Sequence, residues 1–550
     1  MFKKNKGHLQ PPLLSQVSHL PEQQRLRLEQ SWAGVFYREV FSRLDESAFS
    51  CLYSDLPSRP NIPVNVLVGL EFMKAGFGWS DEELYDEFLY NVQVRYALGY
   101  HELGEGEFDL RTLYYFRQRL SQYMQKEGVN LLERAFEQIT DEQLAKFQLK
   151  TGKQRMDSTQ IASNIRQHGR LQLLVEVLQR VPRMLNEADQ ARYAELLQPF
   201  LQGHPGWYVY QMKQTEFPEH IRRVGLVMHQ LLTELKSSYA QCKEFQILER
   251  VFGEHYRLEK SGVVAKAQKE LGACSLQSPD DWEATIRQVG TGLRQGYAAN
   301  IAETCDPQNP FQLITKVQVA PNSLDDSKFL LQALPNLAQR TDLDTLYTDG
   351  GYGSPDVDLS LTDKVVAMFQ TGIRGRKLHR DRLSFHDFIL DVDQSGHPVQ
   401  VTCPHAQTAL VELGSQKKGY VARFAVSICE TCPFHQARQC PTRFRKRKQF
   451  YGLYFLTWKM MVSMRRRCNQ ALLETKLNPR AAIEATVRVI KLPFPRGKLP
   501  VRGKFRMFYM MIGSAAINNV RHIQRYLKLR YKSLLPDSFC LFLGNYFSVC

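Results

Sequence analysis

Apolar residues recur at helical spacing through the first 150 positions, punctuated by Pro60, Pro63 and glycines at 69, 76, 78 and 99. Val64 to Ala75 forms one amphipathic run, and Ser80-Asp81-Glu82-Glu83 opens the next as a capping box. Leu84, Phe88 and Val92 follow at helical intervals, so this pair reads as a helix-turn-helix or as a plain helical hairpin. Residues 108–120 start a helix dense in arginine and aromatics. Its tyrosines and phenylalanine are assigned to packing, which leaves Arg117 and Arg119 as candidates for DNA contact.

The pattern then changes period. Lys150 to Gln160 reads as a short polar strand, and residues 171–257 return to helix, with Ile221, Val224, Met228, Leu231, Leu232 and Leu235 tracing one apolar face. Strand character marks residues 296–303, 312–320 and 343–349, and helices alternate with them as in an α/β sheet. Residues 375–475 are basic and loop-rich. Pro479 to Ile490 forms a helix whose buried face is Ile483, Val487 and Ile490. The expected order is a helical N-terminal DNA-binding domain (1–147), the first catalytic strand (148–164), an all-helical insertion (165–295) and the catalytic α/β core (296–374). A Cys-rich zinc-type insertion (375–475), the catalytic and C-terminal helices (476–535) and an apolar tail (536–550) complete it.

At 550 residues the chain exceeds the roughly 250–300 that one core supports, so several domains or large insertions are expected. Lysine and arginine outnumber aspartate and glutamate by 72 to 56, giving a net charge of +16. That excess favours double-stranded DNA as partner over a membrane, for which no apolar run is long enough. A cytoplasmic, nucleoid-associated protein is expected. Eleven cysteines, an odd number, argue against a disulfide framework and leave some free as metal ligands.

Two aspartates stand at strand ends. Asp157 precedes Ser158 and Thr159, and Asp349 follows the strand-like Thr345-Leu346-Tyr347-Thr348 and precedes Gly350-Gly351, where backbone or substrate can approach closely. At 100° per residue Arg480, Glu484 and Lys491 fall within about 40° on one helical face. A carboxylate flanked by two cations stays ionised and can ligate a metal, while the cations grip phosphates. Three carboxylates suit a two-metal phosphoryl-transfer site, and oxygen-only ligation favours Mg²⁺ or Mn²⁺.

These segments resemble the bacterial insertion-sequence transposases of the DDE superfamily. Met156-Asp157-Ser158-Thr159 is similar to their first catalytic segment, Thr348-Asp349-Gly350-Gly351-Tyr352-Gly353 to the second, and Arg480-x3-Glu484-x6-Lys491 to the third signature. Ser80 to Leu84, Arg95 to Gly99 and Asp109-x2-Thr112-Leu113-x2-Phe116-Arg117-x-Arg119-Leu120 resemble their helical N-terminal region. The resemblance implies a ribonuclease H-like mixed sheet and a metal-binding triad of Asp157, Asp349 and Glu484. It also implies cutting at the element ends, joining of the 3′-OH to target DNA, and a homodimer assembled on DNA. The chain departs from the family at Leu477, where a tyrosine is expected. Rival readings are a nuclease of the same fold without strand transfer, and a DNA-binding regulator derived from a transposase.

Cys429-Glu430-Thr431-Cys432, with Cys440 downstream and Cys403-Pro404-His405 upstream, has the spacing of a structural Zn²⁺ site. Cys403, Cys429, Cys432 and Cys440 are the preferred ligands, with His405 or His435 able to replace one. The basic run Arg443, Arg445, Lys446, Arg447 and Lys448 follows directly and suits phosphate contact.

Overall fold

The computed structural model describes residues 1–534 except 11, 55, 57, 58, 167, 211, 290, 291, 373–380, 394–396, 415–418, 447, 448 and 475–478. Arg447, Lys448, Leu477 and the apolar tail therefore lie outside the described residues. The chain is mixed α/β, with a helical N-terminal region packed against a mixed sheet.

Strand β1 (Lys153–Ile161) lies at the middle of that sheet. Next in the chain come a hairpin, β2 (Tyr256–Glu259) and β3 (Gly262–Ala265), and then β4 (Thr285–Val289). The sheet is completed by β5 (Gly292–Thr304), β6 (Ile314–Pro321), β7 (Thr345–Thr348) and β8 (Ala367–Gln370). β5 runs antiparallel to β1 on one side and to β4 and β6 on the other. β7 is parallel to β1, and β8 is parallel to β7. Tyr297 to Thr304 is buried throughout, as a central strand covered on both faces must be.

The helix Val64–Phe77 is buried all round and crosses the 31-residue helix Lys504–Leu534. The crossing is close because two glycines permit it. A Cβ on Gly76 would fall 2.2 Å from Ile517 Cγ1, and one on Gly513 2.7 Å from Ala75 Cβ. The capping box at Ser80 is present and opens the helix Asp81–Tyr90, but that helix ends at Asn91, and Val92 is exposed in the next one, Val92–Ala97. Val64–Phe77 is sunk in the core, and of the two runs only Asp81–Tyr90 presents a solvent face.

Residues 165–295 depart from the expected all-helical insertion. The helices Arg170–Arg180, Glu187–Leu201, Phe217–Tyr239 and Lys243–His255 share a core of their own around Leu174, Met228, Leu231 and Leu248. They are followed by β2 and β3, where Val263 and Val264 favour strand, and by β4, whose Thr285 and Ile286 extend the main sheet. Residues 375–475 depart from the loop-rich expectation further. They hold a second, antiparallel sheet of β9 (Ile389–Val392), β10 (Pro398–Thr402), β11 (Thr408–Leu413), β12 (Tyr420–Phe424), β13 (Arg443–Arg445) and β14 (Phe450–Phe455). Its order is β13-β14-β12-β11-β10-β9 over a separate core that includes Phe388, Val401, Ala422, Phe424 and Leu453. Among the described residues no helix is long and apolar enough to cross a membrane.

Candidate active site

The parallel pairing of β1 with β7 sets Arg155 opposite Tyr347. The pairing ends there and β7 ends at Thr348, so Asp349 stands just past the strand, near enough to Asp157 for the two carboxylates to act on each other electrostatically. Asp157 is buried, and its Oδ1 accepts from the Ser158 amide at 3.0 Å and faces Arg480 Nη2 at 3.2 Å. Burial pushes its carboxyl pKa up, and the neighbouring Asp349 adds to that, while Arg480 pulls the other way. Asp349 Oδ1 accepts from the Gly351 amide at 2.7 Å, which shapes the turn after β7.

Glu484 sits in the first turn of the helix Ala481–Lys491, whose buried face is Ile483, Val487 and Ile490, as the periodicity predicts. Its side chain is 64% exposed, and Arg480 Nη1 meets Glu484 Oε1 at 3.3 Å. Arg480 therefore bridges Asp157 and Glu484. Burial lowers the guanidinium pKa, but Asp157, Asp349 and Glu484 outweigh it and hold the pKa above its ordinary value. At the other end of the helix Lys491 Nζ donates to Thr159 Oγ1 at 2.6 Å, its pKa lowered by burial against the attraction of Asp157. Among the described residues no three His, Cys, Asp or Glu side chains form a group arranged to hold a metal ion. Arg480 is the cation that meets two of these carboxylates, Asp157 and Glu484, and it feels Asp349 electrostatically.

A buried pair locks this helix to the sheet. Arg155 Nε on β1 meets Glu303 Oε1 on β5 at 2.6 Å, and Arg155 Nη1 donates to the Pro479 carbonyl at 2.8 Å. Thr486 Oγ1 donates to Glu303 Oε2 at 2.9 Å. Neither Arg155 nor Glu303 announces itself in the sequence, since their meeting depends on the β1–β5 register. Two further groups lie behind the aspartates. Ser158 Oγ donates to the buried Asp326 at 2.7 Å, and the fully buried Tyr352 donates from its hydroxyl to Asn300 Oδ1 at 2.6 Å. Burial raises the Tyr352 pKa well above its ordinary value, and Asp157, Asp326 and Asp349 add to the shift.

The DNA-contact candidates divide. Arg117 faces inward: its Nε meets Glu71 Oε1 and its Nη2 meets Asp81 Oδ1, both at 2.7 Å. It stands four residues after the buried Leu113 and so shares the core face of the helix Arg111–Glu127. The aromatic assignment is corrected in part, since Phe108 and Phe116 pack inside while Tyr114 and Tyr115 are 43% and 59% exposed. Arg119 is exposed, with its guanidinium over the Tyr53 ring. Arg443, Arg445 and Lys446 are exposed on and just after β13, and Arg445 Nε donates to Tyr454 Oη at 3.0 Å.

Cys403 follows β10, Cys429 and Cys432 occupy the segment after β12, and Cys440 precedes β13. All four belong to the same lobe. Burial first, and then the Cys440, Cys403 and Cys432 thiols, push the Cys429 thiol up to about 11.

Residues 24–119 match the family model of a transposase domain (DUF772). The match supports a transposase family and a role in transposition. It covers the helices Val64–Phe77 and Asp81–Tyr90 and the first half of the helix Arg111–Glu127, and it ends before the carboxylates. No curated protein and no solved structure matches the chain.

Proposed function

We propose that the chain is a DDE transposase that cuts DNA at the ends of its own mobile element and joins the freed 3′-OH to target DNA. The observation that supports this reading is that Arg480 meets both Asp157 and Glu484, that Asp349 acts electrostatically on Asp157, and that Lys491 reaches Thr159 two residues further along β1. The strand order β6-β5-β1-β7-β8, antiparallel across the first three and parallel across the last three, supports a ribonuclease H-like core. The transposase domain at 24–119 supports the same reading.

The donor chemistry is what supports Mg²⁺ or Mn²⁺: all three side chains offer carboxylate oxygen, and two of them already draw a guanidinium. Held by Asp157, Asp349 and Glu484, two such ions would activate the attacking oxygen and stabilise the leaving one. Arg480 and Lys491 grip the scissile phosphate, and Tyr352 and Asp326 brace the turn and the strand that present the aspartates. In the first step water attacks phosphorus and releases the 3′-OH. In the second that hydroxyl attacks a target phosphodiester and displaces its 3′ oxygen, so bonds broken and formed balance. Two protomers, one per end, assemble on DNA in the cytoplasm.

Asp157→Ala, Asp349→Ala and Glu484→Ala are each expected to reduce Mg²⁺-dependent cleavage of an end-bearing duplex by on the order of 10³-fold or more, with binding preserved. Retained cutting in any of the three removes that residue from the site. Cleavage without joined product would instead favour a nuclease.

We also propose that the thiols of Cys403, Cys429, Cys432 and Cys440 hold a structural Zn²⁺ that staples the small lobe. The support is their chemistry and their shared location, with His405 or His435 as a substitute ligand.

A further inference from the structure

The segment joining the catalytic helix to the last helix carries six cations, Lys491, Arg496, Lys498, Arg502, Lys504 and Arg506, and no acidic residue. Its backbone is fixed along the continuation of β1. The Ala162 amide donates to the Gly497 carbonyl, the Leu499 amide to Ala162 and the Asn164 amide to Val501, each at 2.9 Å. Arg496, Lys498, Arg502 and Arg506 are exposed. Arg496 holds φ at 55°, a left-handed conformation that favours glycine, so a cation is carried where the backbone least suits one.

The far end of this strap opens into a groove of about 620 Å³ whose opposite wall is the helix Arg111–Glu127. Tyr114, Gln118 and Gln122 face Asn164, Arg502 and Arg506 across it. The acids nearby are already engaged. Asp280 pairs with Arg502 at 3.2 Å, Asp281 and Glu283 accept the Gly503 and Lys504 amides, and Asp81 is held by Lys74 and Arg117. The helix Asp81–Tyr90, by contrast, has Asp81, Glu82 and Glu83 in its first turn, a charge that repels phosphate.

We infer that the strap Lys491–Arg506 and the exposed face of the helix Arg111–Glu127 form one track for duplex DNA, leading from the cut phosphate to the groove where bases are read. The inference rests on the transposase reading and names the surface through which it holds its substrate. From Asp157 to Asn164 the chain spans at most about 25 Å, so the groove lies within about 7 base pairs of the cut, less than one helical turn. Arginine and glutamine are the side chains that pair with guanine and adenine edges in the major groove, and the strap supplies the phosphate contacts that fix register.

The test is binding of the full chain to a fluorescent duplex of arbitrary sequence, in chelator so that no cleavage occurs, over a range of salt. Combined Arg496→Ala, Lys498→Ala and Arg506→Ala is expected to reduce the slope of log affinity against log salt by about 3 and to weaken binding more than about 10-fold at low salt. The charge-keeping set Arg496→Lys, Lys498→Arg and Arg506→Lys should retain the slope. An unchanged slope in the alanine set, with wild-type melting behaviour, overturns the track while leaving the catalytic proposal standing. Polyglutamate competing as strongly as duplex overturns DNA as the occupant. A wild-type chain that does not bind duplex at all overturns the transposase reading itself.

Discussion

Asp157, Asp349 and Glu484 arrive from three segments far apart in the chain, whereas Cys403, Cys429, Cys432 and Cys440 come from one short stretch. The first group rests on the main sheet. Ile483, Val487 and Ile490 seat the helix of Glu484 in the large cluster with Tyr297, Ile301 and the helix from Lys504, while Met156, Leu346 and Tyr352 seat the two aspartates in a second cluster of the same sheet. The cysteines belong to a lobe with a small core of its own, in which Leu410 and Leu413 remain exposed. A site set by a large core keeps its shape whatever binds it. A site in a small lobe depends on its ligand for shape, and the two should respond to substitution in opposite ways.

The largest effect is expected where the helix Ala481–Lys491 is fastened. Arg155→Met leaves the fully buried Glu303 without its cation, and breaking such a pair costs about 3–5 kcal/mol. The same change releases the Pro479 carbonyl, so cleavage should fall with stability. Arg155→Met combined with Glu303→Met should recover most of the stability, because a neutral apolar pair leaves no orphan charge. Urea melts of the two variants decide it. A single variant that loses less than about 1 kcal/mol would show that the pair does not fasten the helix.

The link between the two regions is weaker. Asp358 meets Arg465 Nε at 3.1 Å on the helix Thr457–Glu474, which leads out of the lobe. Arg465 Nη1 donates to Gln370 Oε1 at 3.4 Å, and Gln370 Nε2 donates to the Asp349 carbonyl at 3.0 Å. Gly353 gives the guanidinium room, since a Cβ there would fall 1.7 Å from Arg465 Nη1. Burial pushes the Asp358 carboxyl from 3.8 up to about 6, against the pull of Arg465. The folded state therefore binds this proton more tightly than the unfolded chain. Its stabilisation is complete below about pH 4, declines between 4 and 6 and is lost above. Asp358→Asn should gain on wild type as pH rises through that window, by at most about 3 kcal/mol. A difference that stays constant from pH 4 to 7 in denaturant melts would sink the assignment.

Much of this was legible in the chain where one residue's periodicity decides the outcome. The apolar face Ile483, Val487 and Ile490, the capping box at Ser80 and the strand Thr345–Thr348 that precedes Asp349 follow local rules, whereas Asp157, expected at a strand end, lies in the middle of Lys153–Ile161. Arg117 was misread because spacing shows which residues share a face, not which face turns inward. The buried Glu71 opposite it, in another helix, settles that. The second sheet was missed because its strands are short, and β9, β11 and β13 are largely exposed while β14 is largely buried, so no regular alternation marks them. The strap from Lys491 to Arg506 did carry a signal, six cations without an acid, but its meaning needed the pairing of Ala162 with Lys498.

The smallest effect on the whole molecule, and the most local, is expected in the lobe. Cys429→Ser combined with Cys432→Ser removes the two ligands whose spacing is fixed by one turn, so bound zinc should disappear from the purified protein. The lobe should then become sensitive to protease between residues 385 and 455, while the main melting transition moves by less than about 0.5 kcal/mol, as independent sites allow. That separation follows from the cores: Phe388, Val401, Ala422 and Leu453 form a cluster apart from the two that seat the carboxylates. Zinc absent from the wild type, or retained by the variant, rejects the thiol site. A main transition lowered by several kcal/mol would show instead that the lobe is fastened to the catalytic core, with Asp358 and Arg465 as the place to look for the coupling.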